Sequence, residues 1–528
     1  MGTGILALPA DVQSLGRGVG LAFLIFNLPV NLYAGTILSW SALLVEEKVL
    51  NDSNKSGSHE GKLDLTTESV NENNNRGYSW VHDNDLDTPL PEFRSNEKDV
   101  PKSINNTNEE VVHMSMKNNE SEDGPEQEWN EDESISEVEL HHERHTDTAT
   151  FDFVGMTSIL FDEPIIPSMD ESQEKDVGDA TDDAQPGVKR HRTITFNHPF
   201  TKGVLLIYYL NLFLVLGNYI LVMSHAVSAM AGEDNLCIPT AGIIASTVML
   251  GLSQFRTMSN LGRGVSFTSL LALFIVVVQS LYALNANDDS SVPVVENETT
   301  LSSTETILSN MSSIAAIGFA VGSQKLLLNI RHEMADRTKA APQSLSIALS
   351  IYGFAYVVVC LMAGPAPPSF LFDAIPIGSG RRIAGLLLWI HVAVSYAINS
   401  QALCSSLDRM MAHSALGRGA LTESHRLRWF ILTFSVSATS YLVANAIPFF
   451  KDLVALCGAL TSVPLTLLLP AIFYRRIQCV PLCFPTLHSK SSYALLLFSV
   501  VFMIVGLIGA IGSIDMDWEN KREAFSCH

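Results

Sequence analysis

Residues 2–9, Gly2-Thr3-Gly4-Ile5-Leu6-Ala7-Leu8-Pro9, place two glycines and a proline at the mouth of a long apolar segment. Each glycine costs a helix about 1 kcal/mol against alanine, so the pair marks either a flexible lead-in or a deliberate interruption of a membrane helix. In lipid, a broken helix persists only where protein or a polar cavity covers the freed backbone groups. Amides and carbonyls opened near the bilayer midplane are suited to hold a charged solute and its companion ion. The stretch therefore gives two readings, a tail or a binding site.

Working outward, windows of about 20 apolar residues predict spans at 19–45, 204–231, 238–255, 262–284, 313–333, 342–363, 383–404, 427–446, 450–473 and 491–513, with a stub at 1–15. That pattern excludes a soluble globular fold. The expected class is an all-α polytopic membrane protein. The chain divides into 1–45 (partial helix 1 and helix 2), 46–198 (an acidic loop), 199–513 (helices 3–11) and a short external tail, 514–528.

The net charge of −22 is confined to one segment. Residues 46–198 hold 37 of the 55 acids and 13 of the 33 bases, which leaves 18 acids and 20 bases elsewhere. The 46–198 loop is rich in Asp, Glu, Asn and Ser, and its runs at 120–123 and 131–134 show no apolar periodicity. It is expected to be disordered, since it lacks apolar surface to offset chain entropy. Its apolar island from Phe151 to Ile166 is a candidate docking segment for a cytosolic partner, and Lys189–Arg192 suits anionic lipid.

Basic residues orient the chain. Arg256, Arg263, Arg331, Arg337, Lys339, Arg409, Arg418, Arg426, Arg428, Arg475, Arg476 and Lys490 fall in alternate links, whereas 232–237 and 285–309 have none. The positive-inside rule puts the first set and the acidic loop in the cytosol and the C-terminus outside. Of the sequons at Asn51, Asn54, Asn105, Asn119 and Asn297, only Asn297 is then an expected glycosylation site. Cys237 and Cys527 face outward and are able to pair, while Cys360, Cys404 and Cys457 read as buried hydrophobes.

The span at 313–333 is interrupted by Gly318 and Gly322, with polar Ser323 and Gln324 beside them. It lies five spans after the first glycine pair, the spacing at which an inverted repeat would break a second helix. A glycine pair four apart also suits a helix-packing face. Charged and polar residues inside spans are functional candidates. Lys325 is one, placed either to stand in for a coupling cation or pair with a carboxylate, or to snorkel. His391 offers an imidazole able to titrate near neutrality, with a hydrogen-bonded packing role as the alternative. Ser395, Asn399 and Ser400 offer oxygens to a monovalent cation, with inter-helix hydrogen bonding as the alternative. Asp11 is a candidate guard of the outer entrance. No phosphate-binding motif, zinc spacing or nucleophile constellation is evident. No enzyme activity, cofactor, metal or nucleic acid is expected.

The Gly2–Pro9 motif resembles the first-helix signature of the amino acid/auxin permease family. Ala320–Ile330 is similar to the family's sixth-helix pattern Ala-Phe-Gly-Gly-His-Ser-Val-Leu-Pro-Glu-Ile, keeping Gly322 and Ile330 while Ser323, Gln324, Leu328 and Asn329 replace the second glycine, histidine, proline and glutamate. Ile447–Leu460, followed by Pro464 and Leu469-Pro470-Ala471, resembles the tenth helix. In that family about a dozen residues precede the first motif, so helix 1 is expected to lack its inner half here. The resemblance implies an inverted-repeat, LeuT-like transporter fold of five plus five helices and an eleventh. It further implies secondary active transport of amino acids or related small zwitterions, driven by H+ or Na+. Gly2, Thr3, Gly4 and Ile5 would receive the substrate carboxylate, and Phe319, Ala320, Val321, Gly322 and Ser323 its ammonium and side chain. The membrane would be the plasma membrane or a vacuolar or endolysosomal one. The alternative is a non-transporting sensor that signals through the acidic loop.

Overall fold

The structure is a computed structural model that describes residues 3–58, 152–162, 198–232, 236–254, 263–287, 303–322, 324–334, 336–413, 425–478, 486–520 and 525–526. Residues 1–54 and 149–528 form one compact unit, and 55–148 a second that lies almost wholly outside the described residues. The first unit is all helix among the described residues. A 3-10 turn, Thr3–Leu6, leads into α1 (Leu8–Ser14) and α2 (Arg17–Ser58). There follow α3 (Phe153–Phe161), α4 (Pro199–Ala231), α5 (Ile238–Leu252) and α6 (Arg263–Asn287). Next come α7 (Ser303–Val321), α8 (Leu327–Glu333), α9 (Ser346–Met362), α10 (Ser379–His413) and α11 (His425–Ala446). The chain closes with α12 (Phe450–Leu456), α13 (Leu469–Gln478) and α14 (Thr486–Asn520).

Local sequence explains where these helices start and stop. Pro9, Pro199 and Pro239 stand in the first turns of α1, α4 and α5, where a missing N–H costs nothing because that donor has no intrahelical acceptor. Gly16 turns the chain from α1 into α2 at φ 81°, a conformation that a side chain would strain.

Eight helices among the described residues are long and apolar enough to cross a bilayer, and the bent pair α7/α8 makes a ninth. Helix α5 is apolar but shorter. Nine of the ten spans expected from hydropathy are thus met by helices long enough to cross, counting the bent pair as one, and the tenth, 238–255, by the shorter α5. Their outward faces are greasy: Phe267, Leu270, Leu271, Phe274 and Val278 are exposed along α6, and Leu497, Val501, Ile504 and Ile508 along α14. Side chains at three- and four-residue spacing therefore meet the surroundings with their apolar face, the arrangement lipid requires. The protein is an integral multi-pass membrane protein.

Packing falls into two groups. Helix α4 lies against α10, α11 and α5, with α10 also on α6; α7 lies against α14, α12 and α1. Gly458 permits the close approach of α7, since a Cβ there would stand 2.1 Å from the Ala315 carbonyl oxygen. Between α12 and α13 the backbone runs through two π-helical stretches, Cys457–Ser462 and Pro464–Leu468.

The acidic loop differs from expectation at two places. Helix α2 runs past Glu46 to Ser58, and the apolar island forms α3. Instead of awaiting a partner, α3 is buried in its own bundle. Phe153 and Met156 are fully buried, Phe153 faces Tyr208 and Phe473, and Asp152 caps the helix by accepting from the Gly155 N–H at 2.7 Å. An apolar stretch with a capping aspartate saves more by covering its face than by solvating it. The rest of the loop, including Lys189–Arg192, Asn105 and Asn119, lies outside the described residues, as does Asn297. Cys237 is disulfide-bonded, whereas Cys360, Cys404 and Cys457 are free and buried; Cys527 lies outside the described residues.

Candidate solute site between two broken helices

The two interruptions meet. The 3-10 turn at Thr3–Leu6 is fully buried, and a Cβ on Gly4 would stand 3.0 Å from both Cα and Cβ of Ala320. Glycine at position 4 lets the first broken segment rest directly on the second. At Gly322 the α-helical path stops, and α7 and the following Gln324–Arg331 segment are bent by 46°. Gly2 and Ser323, one residue from each described break, lie outside the described residues.

A helix end leaves carbonyls without intrahelical donors, and in a membrane these need partners. The Tyr356 hydroxyl donates to the Ala320 carbonyl at 3.3 Å and the Tyr352 hydroxyl to the Val321 carbonyl at 3.2 Å. The Gly322 N–H still donates to the Gly318 carbonyl at 3.0 Å. At the first break, the Asn218 amide donates to the Thr3 hydroxyl at 2.9 Å. Gln324 donates to both the backbone and side-chain oxygens of Asn31 on α2, the latter at 3.0 Å.

Lys325 points back into the break. Its Nζ lies 4.0 Å from the Phe319 ring centroid and 3.4 Å from Ser462 Oγ, on the π-helical stretch after α12. This orientation runs opposite to snorkelling, which would carry the ammonium to the interface. Ser462 and Thr461 both donate to the Asn211 side-chain oxygen, at 3.2 and 3.0 Å. Thr3, Gly4, Phe319, Ala320, Lys325, Ser462 and Asn218 thus form one neighbourhood, buried except for the half-buried Ala320 and Lys325.

The expected ion ligands on α10 make their bonds elsewhere. His391 Nδ1 is 3.0 Å from both the hydroxyl and the carbonyl oxygen of Ser269 on α6. Ser395 donates to the His391 carbonyl at 3.2 Å and Asn399 to the Ser395 carbonyl at 2.9 Å. Ser400 donates to the Ser253 hydroxyl at 3.4 Å. None of these bonds reaches a broken segment. They follow the commoner use of polar groups in membrane helices, bonding back one turn or across to a neighbour.

Sequence reasoning passed over Asn211 and Asn218, which lie seven apart and so on one face of α4, and over Tyr352 and Tyr356, four apart on α9. It also missed the charge pair at the far end of the break. Arg331, 1% exposed, donates to both carboxylate oxygens of Glu46 at 2.8 and 2.7 Å, and Arg337 adds a third bond at 3.2 Å. Beside it, outside the spans, the Thr338 hydroxyl and the Lys339 ammonium hold the Asp336 carboxyl down at about 2. Asp336 thus stays ionised at neutral pH and keeps its bond to the Thr338 N–H, which starts the turn at Arg337–Lys339.

Comparison with known proteins agrees with this architecture. The profile of the family described as "Transmembrane amino acid transporter protein" matches residues 176–514, more than half of the chain. Amino acid transporter AVT1H of Arabidopsis thaliana is 23% identical over 325 residues, which cover 59% of this chain and 71% of that protein. The N amino acid transport system protein of Neurospora crassa is 23% identical over 277 residues, covering 51% of this chain and 58% of that protein. The family match begins after α3, so the first broken segment joins the rest by its packing on α7. With more than half of its length matched, the chain belongs to the transmembrane amino acid transporter family.

Proposed function

We propose that the protein is a secondary active transporter of amino acids or related small zwitterions, driven by a gradient of H+ or Na+. The observation that carries this reading is the contact of Gly4 with Ala320. Two helices interrupted five spans apart, resting on each other at a buried glycine and a half-buried alanine, leave backbone donors and acceptors close together, as an inverted-repeat carrier needs. In this reading the amides at the start of the Thr3–Leu6 turn take the substrate carboxylate. The Phe319–Gly322 backbone and the Phe319 ring meet its ammonium end and side chain. Since Tyr352 and Tyr356 already donate to the Val321 and Ala320 carbonyls, substrate binding exchanges those bonds rather than filling a bare site. Lys325 stands as a fixed cation in place of a bound one.

Alternating access then consists of α1, α2, α7/α8 and α9 rocking against the α4, α5, α10 and α11 group. The Glu46–Arg331 pair holds α2 to α8 within the rocking group, at the cytosolic end in the orientation given by the basic links. Uptake of a labelled mixture of proteinogenic L-amino acids into proteoliposomes, with sodium, protons and potassium varied singly, tests the reading. Gradient-driven accumulation is expected; a protein that reconstitutes yet moves no amino acid under any gradient overturns it. Glycosylation at Asn297 alone, abolished by Asn297→Gln, checks the orientation.

A further inference from the structure

Asp11 is 1% exposed in α1, just past the Thr3–Leu6 turn, where α7, α9 and α12 close around it. Among the described residues no donor lies within hydrogen-bonding distance of either of its oxygens. Lys451 Nζ stands 4.0 Å from Asp11 Oδ1 and is shared between the hydroxyls of Ser14, at 3.4 Å, and Ser309, at 3.3 Å. The neighbouring Asp452, also 1% exposed, accepts from Ser513 Oγ at 2.6 Å. The buried hydroxyls of Ser312 and Ser313 on α7 also lack a partner, and Ser313 faces the Asp11 carboxylate. Several serines in these helices bond back one turn, as Ser280 and Ser440 do at 2.9 and 2.7 Å, while Ser41 and Ser246 share the state of Ser312 and Ser313. Among the described residues the remaining titratable or charged groups near Asp11 are Cys360 on α9 and Arg17, whose guanidinium donates to the Leu361 carbonyl; from α7 the hydroxyls of Ser312 and Ser313 face this region.

Asp11 therefore meets its nearest ammonium only at 4.0 Å, in a site of low dielectric, and that ammonium is held by two hydroxyls. A buried, uncompensated carboxylate is costly, and binding a cation removes the cost. A metal ion would have to sit beside the Lys451 ammonium and gather several oxygens. A proton needs one oxygen and a single acceptor for the O–H.

We propose that Asp11 is a proton-binding site, with Ser313 receiving the bond from the protonated carboxyl and Lys451 answering the ionised one. The step forms one O–H bond, its proton drawn from water on the outer side. Protonation releases Lys451 toward Ser14 and Ser309, and deprotonation draws it to Asp11, which tightens α12 onto α1. The link from this site to solute movement rests on the transporter reading, whereas the site itself does not.

The test uses the purified protein in liposomes on a solid support. An acid step without amino acid is expected to displace charge in the wild type and in Asp11→Glu, and not in Asp11→Asn. Asp11→Asn is also expected to lose accumulation driven by a pH gradient while still exchanging labelled for unlabelled amino acids in counterflow. Charge displacement or pH-driven accumulation that survives Asp11→Asn overturns the proposal, as does a wild type that moves no charge. Should Asp11→Asn fail to reconstitute, Ser313→Ala decides: a shifted pH midpoint of the displacement is expected, and an unchanged midpoint overturns it. Asp11-dependent charge movement in a protein that carries no amino acid keeps the proton site and removes the transporter reading instead.

Discussion

The two ends of the broken-helix pair hold their buried charges differently. At one end Arg331 meets Glu46 through two short parallel bonds, and Arg337 reinforces the same carboxylate. At the other, Lys451 approaches Asp11 only to 4.0 Å and divides itself between two serines. Bidentate guanidinium–carboxylate geometry fixes orientation as well as charge. A lone ammonium at long range fixes neither. The first end is built as a latch joining α2 to α8, and the second as a group that exchanges partners. In a group that rocks as a body the first end keeps α2 and α8 moving together, while the weaker contact at the second lets α12 shift against α1.

Breaking the latch gives the largest expected effect. Glu46→Gln leaves the Arg331 guanidinium buried without a counter-charge, which costs about 3–5 kcal/mol. The melting temperature of the protein in detergent should fall clearly. Arg337→Gln should lower it far less, since Arg337 is 29% exposed and adds only one bond. At the other end Lys451→Met should cost less than Glu46→Gln, because a buried carboxylate left without its ammonium sheds its charge by taking up a proton, whereas a guanidinium keeps its charge. Equal losses in Glu46→Gln and Lys451→Met would dissolve the distinction between the two ends.

Next in size are the glycines between those ends. A valine at Gly4 must displace the Ala320 backbone, and one at Gly322 would put its Cβ 2.9 Å from the Gly318 oxygen. Overpacking of this kind costs about 1–3 kcal/mol, a factor of roughly 5–150 in any equilibrium that needs the contact. Gly4→Val and Gly322→Val should each insert normally, judged by surface labelling, and lose most uptake. Near-normal uptake by both would detach the two ends from the break.

How much of this was legible in the sequence follows from what each signal requires. Lipid forces every backbone group to be satisfied within a helix, so the spans are written as apolar runs and all ten were readable. The two interruptions were readable because glycine pairs are costly there. What the spacing could not give is which groups cross between elements. Glu46 stood at the head of an acidic loop, and a charge in such a run reads as solvated until α8 is found bringing Arg331 against it. The apolar island before Ile166 read as a partner site because nothing in a sequence says that a chain's own bundle will cover it. His391, Ser395, Asn399 and Ser400 read as candidates for ion coupling or for bonds between helices, and the bonds they make go to Ser269, to their own helix and to Ser253. Asp11 was visible as a charge near the entrance; its missing donor was not.

Lys325 offers a third, smaller test of the middle of the break. A cation over an aromatic face contributes about 0.5–2 kcal/mol, here through Phe319 at 4.0 Å, with Ser462 as the second partner. If the ammonium takes the place of a bound cation, replacing external sodium by choline should leave wild-type uptake nearly unchanged. Lys325→Met should then lose uptake in both media, and Lys325→Arg should keep part of it. A sodium-dependent wild type with an active Lys325→Met would show that the ammonium only packs.

The smallest effect separates hydrogen bonds that join the two helix groups from those that stay within one. Asn218 on α4 donates across to Thr3 at 2.9 Å, whereas Asn399 on α10 donates to its own helix, to the Ser395 carbonyl, at the same distance. Side-chain hydrogen bonds between membrane helices contribute about 0.6 kcal/mol on average and seldom more than about 1.7. Neither Asn218→Ala nor Asn399→Ala should therefore lower the melting temperature much. They should part in transport. Losing the Thr3 contact frees the first broken segment relative to α4, the surface along which the rocking group must move. Half-saturating substrate concentration and turnover are both expected to change in Asn218→Ala, with Asn399→Ala close to wild type. The reverse pattern would return α10 to the ion path and leave the Thr3–Asn218 bond as packing alone.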